Sequence, residues 1–278
     1  MTTKAKGTSV TQKLANLAKK RGARFEHVAT EFLIERLVRR LVADKKLASL
    51  LVFKGGFVGL RVYNSSRYTV DLDALLRKSN FEATLKLTRE AAEVDLDDGV
   101  WFRFENQIDL EAQGEYGGIR QTFRAGFGEV PKKLLKAQMI NFDLGIGDPV
   151  SPVSSKMVTL LSDEELSWSV YPIETIIAEK LHALVARGDL NSRSKDVFDL
   201  VAFLPKAKTA ALQESLAKCF KYRETELPGS FSDVLKDLDT KTLERGWGSA
   251  VASIQDAPKF QDTFAKLISL LEQFDGQE

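Results

Sequence analysis

Cysteine and histidine are almost missing from this sequence: Cys219 is the one thiol, and His27 and His182 are the only imidazoles, in 278 residues. One thiol excludes an internal disulfide and fits a reducing, cytoplasmic setting. Three such side chains, far apart in sequence, make no zinc constellation. With no histidine beside it, Cys219 reads as helix packing and not as a nucleophile. No apolar run reaches the ~18 residues of a membrane span, and the start of the chain has no apolar core of a secretory signal. The glycine-rich phosphate loops GxGxxG and GxxxxGK[ST] do not occur, nor does the nucleophile elbow of a serine hydrolase. Charge of one sign is not in excess either: 40 basic against 39 acidic residues leave a net charge of +1. Overall charge therefore does not announce a nucleic-acid partner. Its distribution is uneven. Lys4, Lys6, Lys13, Lys19, Lys20, Arg21 and Arg24 come before the first acid; Arg36, Arg39, Arg40, Lys45 and Lys46 follow, and Lys132, Lys133 and Lys136 form a third cluster. Such clusters either draw phosphate backbones or form solvated helical faces.

What is present is ordinary for a globular chain, with 44% hydrophobic and 28% charged residues, enough for one large domain or two small ones. Apolar residues at spacings of three and four predict helix from Val10 to about Lys46. Leu50 to Phe53 reads as a short strand, Gly55 to Val62 as a short helix and Thr69 to Leu76 as a strand. A helix follows from Asn80, its cap, to about Val94. Three strand-like runs come next: Val100 to Glu111, Gly118 to Phe127 and Leu134 to Ile146. After Pro152 the pattern turns helical: Pro172 to Arg187, Ser192 or Ser194 to Leu204, Thr209 to Lys221, Ser232 to Leu238, Thr240 to Trp247 and Pro258 to Phe274. The strands are not separated by regular βα units, which excludes a doubly wound sheet.

The most informative stretch is Phe53-Lys-Gly-Gly-Phe57 followed by Ser66-Arg-Tyr-Thr-Val-Asp71-Leu-Asp73. In a strand, residues two apart share a face, so Asp71 and Asp73 point one way while Val70, Leu72 and Ala74 point into the core. Two adjacent carboxylates repel unless a cation sits between them. Mg²⁺ suits such a pair, being held by one or two carboxylates plus substrate phosphates, and the glycine turn offers backbone N–H groups to phosphate. A third acid is sought in Met139-Ile-Asn-Phe-Asp-Leu-Gly-Ile146, where Asn141 and Asp143 share one face. Asp143 is the leading candidate; Asp109 and Glu111 are its rivals, and a solvent-facing strand position is the alternative for each. Lys180 lies near the apolar face that Ile173, Ile176, Ile177, Leu181 and Leu184 define. A triphosphate or a carboxylate such as Glu174 would pair it, or its stem snorkels to water. In Arg193-Ser-Lys-Asp-Val-Phe-Asp-Leu, Asp196 and Asp199 are placed to pair with Arg193, Lys195 or Lys180, or simply to decorate a helix start. Ser65, Ser66 and Thr69 bond phosphate or turn the chain.

Taken in order, Lys54-Gly55-Gly56, Arg67-x-Thr69-x-Asp71-x-Asp73, Asp143 at a strand end, Glu174-Thr-Ile-Ile-Ala-Glu-Lys180-Leu-His-Ala and Arg193-x-Lys195-Asp196-x-x-Asp199-Leu resemble the motifs of the AbiEii/AbiGii toxins. These are nucleotidyltransferase-like proteins of abortive-infection (phage defence) and toxin–antitoxin systems, and the MenT toxins belong with them. The resemblance implies an α+β protein: a DNA polymerase β-like nucleotidyltransferase lobe with a mixed sheet, residues 1–160, and a C-terminal all-helical lobe, residues 161–278, with the active site between them. It implies that Asp71, Asp73 and Asp143 hold Mg²⁺, that Lys180 reaches the NTP, and that Asp196 with Lys195 and Arg193 completes the cleft. Lys54, Gly55, Gly56, Ser66, Arg67 and Thr69 would line the phosphate side. Phe57 stands where many relatives carry a small hydroxyl residue. The implied activity is Mg²⁺-dependent transfer of NMP from NTP to an RNA, by likeness to MenT the 3′ end of tRNA, which blocks translation. A cognate antitoxin is the implied partner. Two other readings are transfer to a protein or small molecule, and a non-catalytic nucleotide- or RNA-binding regulator.

Overall fold

The structure, a computed structural model, describes residues 1–77, 81–110, 117–147 and 150–276. The expected Asn80 cap and Glu111 lie outside the described residues. Contacts divide the chain into two compact units. The first comprises Met1–Val62, Tyr68–Gly147 and Pro152–Val170; the second is built from Tyr171 onward together with Tyr63–Arg67.

The first unit opens with three helices, α1 (Thr3–Arg21), α2 (Phe25–Ala43) and α3 (Lys45–Leu50). The continuous helical pattern expected from Val10 to Lys46 is broken twice. Gly22 ends α1 in the left-handed conformation, φ 61°, a conformation that glycine adopts without steric cost. Asp44 ends α2 and caps α3, its side chain accepting from the N–H groups of Lys46 and Leu47. On α2 the charged residues Glu31, Glu35, Arg36 and Arg40 are buried along with the apolar ones. Glu31 accepts from Arg21 and Arg61, each at 2.7 Å. Glu35 pairs with Arg36 at 2.6 Å and Arg61 at 3.1 Å. Arg40 grips Asp98 with two bonds of 2.9 Å and donates to the Val100 carbonyl. Arg36 and Arg40 are thus interior ion-pair members, neither a solvated face nor a nucleic-acid footprint. Burial raises the Glu35 carboxyl pKa, against the pull of Arg61 and Arg36.

Among the described residues, seven strands form one mixed sheet in the order β3-β4-β5-β2-β1-β7-β6. They are β1 (Leu51–Lys54), β2 (Asp71–Leu76), β3 (Val100–Asp109), β4 (Gly118–Phe127), β5 (Gln138–Ile146), β6 (Val153–Val158) and β7 (Glu165–Val170), with α4 (Gly55–Arg61) after β1 and α5 (Phe81–Ala92) after β2. The central β2 runs parallel to β5 and antiparallel to β1. Five strands sit where the sequence pattern places them. The β6–β7 hairpin is additional: its Ser-rich alternation buries only Met157, Trp168 and Val170, too few apolar residues to mark strands in the sequence. Val70 is 57% exposed and not in the core, because the strand begins one residue later, at Asp71. Phe57 is fully buried and meets Trp168 edge-on at 5.9 Å, so the position after the glycines supplies packing.

The second unit is helical: α6 (Ile173–Arg187), α7 (Ser194–Phe203), α8 (Thr209–Tyr222), α9 (Phe231–Lys236), α10 (Lys241–Ala250) and α11 (Phe260–Asp275). Its core includes Tyr171, Ile177, Leu181, Leu200, Phe220, Leu235 and Leu267. Cys219 is buried on α8, as expected. His182 is buried too, bonded to Thr225 at 3.0 Å and set edge-on to Phe220. Among the described residues, no helix is long and apolar enough to cross a membrane.

Helix α1 docks through small residues. A Cβ on Gly7 would lie 2.2 Å from the Gly128 nitrogen, and backbone cannot yield as a flexible side chain can. Gly7→Ala is expected to lower unfolding free energy by about 1–3 kcal/mol and to speed hydrogen exchange along α1. Gly248→Ala, on α10 with nothing within 4 Å of the new methyl, is expected to be neutral or stabilising by up to ~1 kcal/mol. Urea unfolding of the two variants checks both signs.

Candidate active site

The acids come together on one face of the sheet. Before β2, the Asp71 N–H donates to the Thr69 hydroxyl at 3.4 Å, turning the chain into the strand. Asp71 and Asp73 then share a face, while Leu72 and Ala74 on the other face are fully buried. Register aligns Asp73 with Asp143 and Asp71 with Asn141 on β5. The Asn141 amide donates to Asp71 Oδ1 at 2.9 Å and its oxygen accepts from Thr122 at 3.1 Å. Arg120 on β4 stands opposite Asp143, and Lys54 on β1 opposite Asp73. One row across four strands therefore reads Arg120, Asp143, Asp73, Lys54. The rival acid Asp109 aligns with Ile119, next to Arg120, and so takes the opposite face.

Gly55 follows Lys54 with φ +70°, and a Cβ there would lie 2.0 Å from Asp73 Oδ2. The backbone passes directly against the carboxylate, and only glycine allows both the dihedral and the approach. Gly56, like Gly55 and Lys54, is half-buried at this turn.

Asp143 has a partner that the sequence reading did not supply. Arg120 donates through Nε to Oδ1 and through a terminal nitrogen to Oδ2, both at 2.7 Å. This bond raises the Arg120 pKa, and the charges of Asp143, Asp71 and Asp73 add to the effect. Among the described residues no group of three His, Cys, Asp or Glu side chains is arranged to hold a metal ion. Asp143, expected as the third metal-binding acid, has each of its oxygens bonded to a guanidinium. The remaining donor set, Asp71 and Asp73, still suits Mg²⁺, which takes oxygen ligands and commonly only one or two carboxylates beside substrate phosphates.

A second cluster lies within the helical unit. Lys180 on α6 donates to Asp196 Oδ1 at 2.5 Å and Asp199 Oδ2 at 2.9 Å. Arg67 grips Asp199 with two bonds, 3.1 and 2.8 Å. Arg193 Nε comes within 3.1 Å of Asp196 Oδ2 without hydrogen-bond alignment. The start of α7, which carries the acids, is set by Asn191 and Ser194. Asn191 Oδ1 accepts from the Arg193 N–H at 2.7 Å and Ser194 donates to the Leu243 carbonyl at 2.6 Å. Burial pulls the Lys180 pKa down, but Asp196 and Asp199 together outweigh it, so the pKa ends above 10.5. Burial alone would raise Asp199; Lys180 and Arg67 outweigh it and bring it from 3.8 to about 2. Asp196 is lowered by Lys180 and Arg193 against the same opposing burial. Of the two readings for Lys180, the paired one holds, with Asp196 and Asp199 as the carboxylates in place of Glu174. Arg67, expected on the phosphate side, is buried against Asp199. Lys195 and Ser66 are exposed.

A family model described as nucleotidyl transferase AbiEii toxin, type IV toxin–antitoxin system, matches residues 36–266. Comparison with curated proteins returned no match. Among solved structures, JHP933 from Helicobacter pylori is similar at 19% identity and TM-score 0.52, covering 87% of this chain and 90% of that one. A protein from H. pylori described as a candidate nucleotidyltransferase is similar at 19% identity and TM-score 0.51, over 87% of this chain and 92% of that one. These two likenesses show a shared fold.

Lys180→Met leaves Asp199 to Arg67 and Asp196 to the unaligned Arg193, and is expected to destabilise by up to about 3–5 kcal/mol. In the unmutated protein, the stability that Asp199 contributes is complete above pH ~4 and is lost as pH falls toward ~2, and Asp196, also lowered, contributes in the same direction. The contribution of Lys180 is complete below pH ~10.5 and is lost as pH rises beyond it. Urea unfolding against pH is expected to show this plateau, with a smaller acid loss in Lys180→Met. Gly55→Ala is expected to displace Asp73 and to abolish activity with a smaller loss of stability.

Proposed function

The chain belongs to the AbiEii family of nucleotidyltransferase toxins of type IV toxin–antitoxin systems, and from that premise we propose that it moves NMP from an NTP to the 3′ hydroxyl of an RNA, with tRNA as the acceptor. The observation that carries this reading is the acidic row: Asp71 and Asp73 on one face of β2, with Asp143 in register beside Asp73. Mg²⁺, bound by Asp71 and Asp73, supplies charge stabilisation at the phosphates. The chain's own residues do the rest. Lys54, Gly55, Gly56 and Thr69 receive the triphosphate. The acceptor 3′ oxygen bonds to the α-phosphorus, the bond from that phosphorus to the bridging oxygen breaks, and pyrophosphate leaves with its electron pair. The hydroxyl proton passes to a carboxylate of the row. The pairs of Asp196 and Asp199 with Lys180 and Arg67 hold the motif helices α6 and α7 in one arrangement, and Arg193 with Lys195 offers positive charge to nucleotide or RNA.

Such an enzyme works in the cytoplasm, where NTP and tRNA are found; capping the acceptor end halts translation, and a cognate antitoxin opposes it. The test incubates purified protein with each of four labelled NTPs and total RNA. Label in RNA that nuclease removes supports the reading; label that protease removes moves the acceptor to protein. Asp73→Asn and Asp71→Asn are each expected to cut incorporation on the order of a hundredfold or more while far-UV circular dichroism stays unchanged. Equal labelling by Asp73→Asn and the unmutated protein overturns the assigned role.

A further inference from the structure

Arg120 belongs to none of the motifs, yet it is a cation of the acidic row, at the end opposite Lys54. Its side chain is about a quarter exposed, at 26%, and that of Asp143 is 18% exposed. The hydrogen bonds described for its guanidinium go to Asp143. It is thus tied on one side and open to solvent on the other. A guanidinium bound to both oxygens of a carboxylate takes one lone pair of each and sets its positive charge where a metal ion would approach. Arg120 also stands within the electrostatic reach of Asp71 and Asp73, so a divalent ion bound there meets a fixed positive charge nearby. The same planar fork matches a phosphate as well as a carboxylate.

We propose that Arg120 is a positioning residue that competes with the divalent cation for Asp143 and couples metal binding to nucleotide binding. Without nucleotide, the guanidinium holds Asp143 and opposes metal at Asp71 and Asp73. With nucleotide, Arg120 transfers to the triphosphate, which frees the Asp143 oxygens for the metal. The inference rests on the metal-binding role proposed above for Asp71 and Asp73. It gives the sequence's candidate third acid a conditional role: Asp143 joins the ligand set only when Arg120 leaves it.

The test measures Mn²⁺ binding by the electron paramagnetic resonance signal of the free ion, in the absence and presence of α,β-methylene ATP. The proteins are the unmutated chain, Arg120→Ala, Arg120→Gln and Asp73→Asn. Arg120→Gln retains a hydrogen-bonding head without the charge, and thermal unfolding in EDTA establishes that each variant is folded. Without nucleotide, both Arg120 variants are expected to bind Mn²⁺ about tenfold more tightly than the unmutated chain, the direction and order expected when a unit positive charge near a divalent ion is removed. The analogue is expected to tighten Mn²⁺ binding in the unmutated chain and much less in the Arg120 variants. Asp73→Asn is expected to bind weakly throughout. A merely structural role for Arg120 predicts the opposite sign, because loosening Asp143 weakens a site. Equal or weaker Mn²⁺ binding by both Arg120 variants, with Asp73→Asn still impaired, overturns the inference and leaves the metal-binding reading in place. Full Mn²⁺ binding by Asp73→Asn overturns both.

Discussion

Asp73 and Asp143 face each other across two paired strands, and Asp71 shares their side of the sheet. Like charges directly opposite destabilise strand pairing. At a separation of ~4 Å the repulsion is about 1 kcal/mol in water and about 4 kcal/mol at the effective dielectric near a protein surface. The sheet tolerates this because the flanking strands bring a cation to each end of the row, Arg120 beside Asp143 and Lys54 beside Asp73. Register, glycine and charge are here one constraint. Gly55 lets the backbone approach Asp73, and Asn141 supplies a neutral donor to Asp71 where another acid would have added repulsion. A face balanced in this way folds on its own charges and still gains from any divalent ion that joins it, the physical basis of the proposed chemistry.

The rest of the molecule handles charge differently. On α2, Glu31, Glu35, Arg36 and Arg40 lie in the interior and tie α1, α4 and the β6–β7 turn to one helix, the Leu160 N–H donating to Glu35 at 2.9 Å. Within the helical unit, Lys180, Arg67, Asp196 and Asp199 do the same for α6 and α7. Buried pairs of this sort contribute little net stability compared with apolar packing, but losing one partner costs several kcal/mol because the other is left uncompensated. They therefore act as geometric locks. A loss of activity in a Lys180 variant has to be read with that in mind, since its Nζ is spent on two carboxylates.

Much of this was legible along the chain. Alternation in Thr69 to Leu76 and in Met139 to Ile146 marks two strands with an acidic face, and the spacing of Ile173, Ile177, Leu181 and Leu184 marks α6 with Lys180 at its edge. The glycine pair after Phe53 marks a turn. Other features were not legible. Arg120 sits on an alternating strand with Thr122 and Arg124, and nothing local says that it, among forty basic residues, meets Asp143. Arg36 and Arg40 look like members of a basic run until their partners, Glu35, Asp98 and the Val100 carbonyl, are seen. The β6–β7 hairpin buries too little apolar surface to stand out from a linker.

Periodicity is local. It is set by 3.6 residues per helical turn and two per strand repeat, so one segment alone reveals which of its side chains share a face. The order of residues thus established that Asp71 and Asp73 lie together, that a glycine turn precedes them, and that the C-terminal part is helical, though it set the change at Pro152 while strands run on to Val170. Strand register and the pairing of buried charges are non-local, since they depend on which distant segments dock and at what offset. Only the folded chain could decide that Asp143 stands opposite Asp73 and is held by Arg120, and that Lys180 is neutralised by α7. A slip of one residue in register would have turned every one of those side chains to the other face.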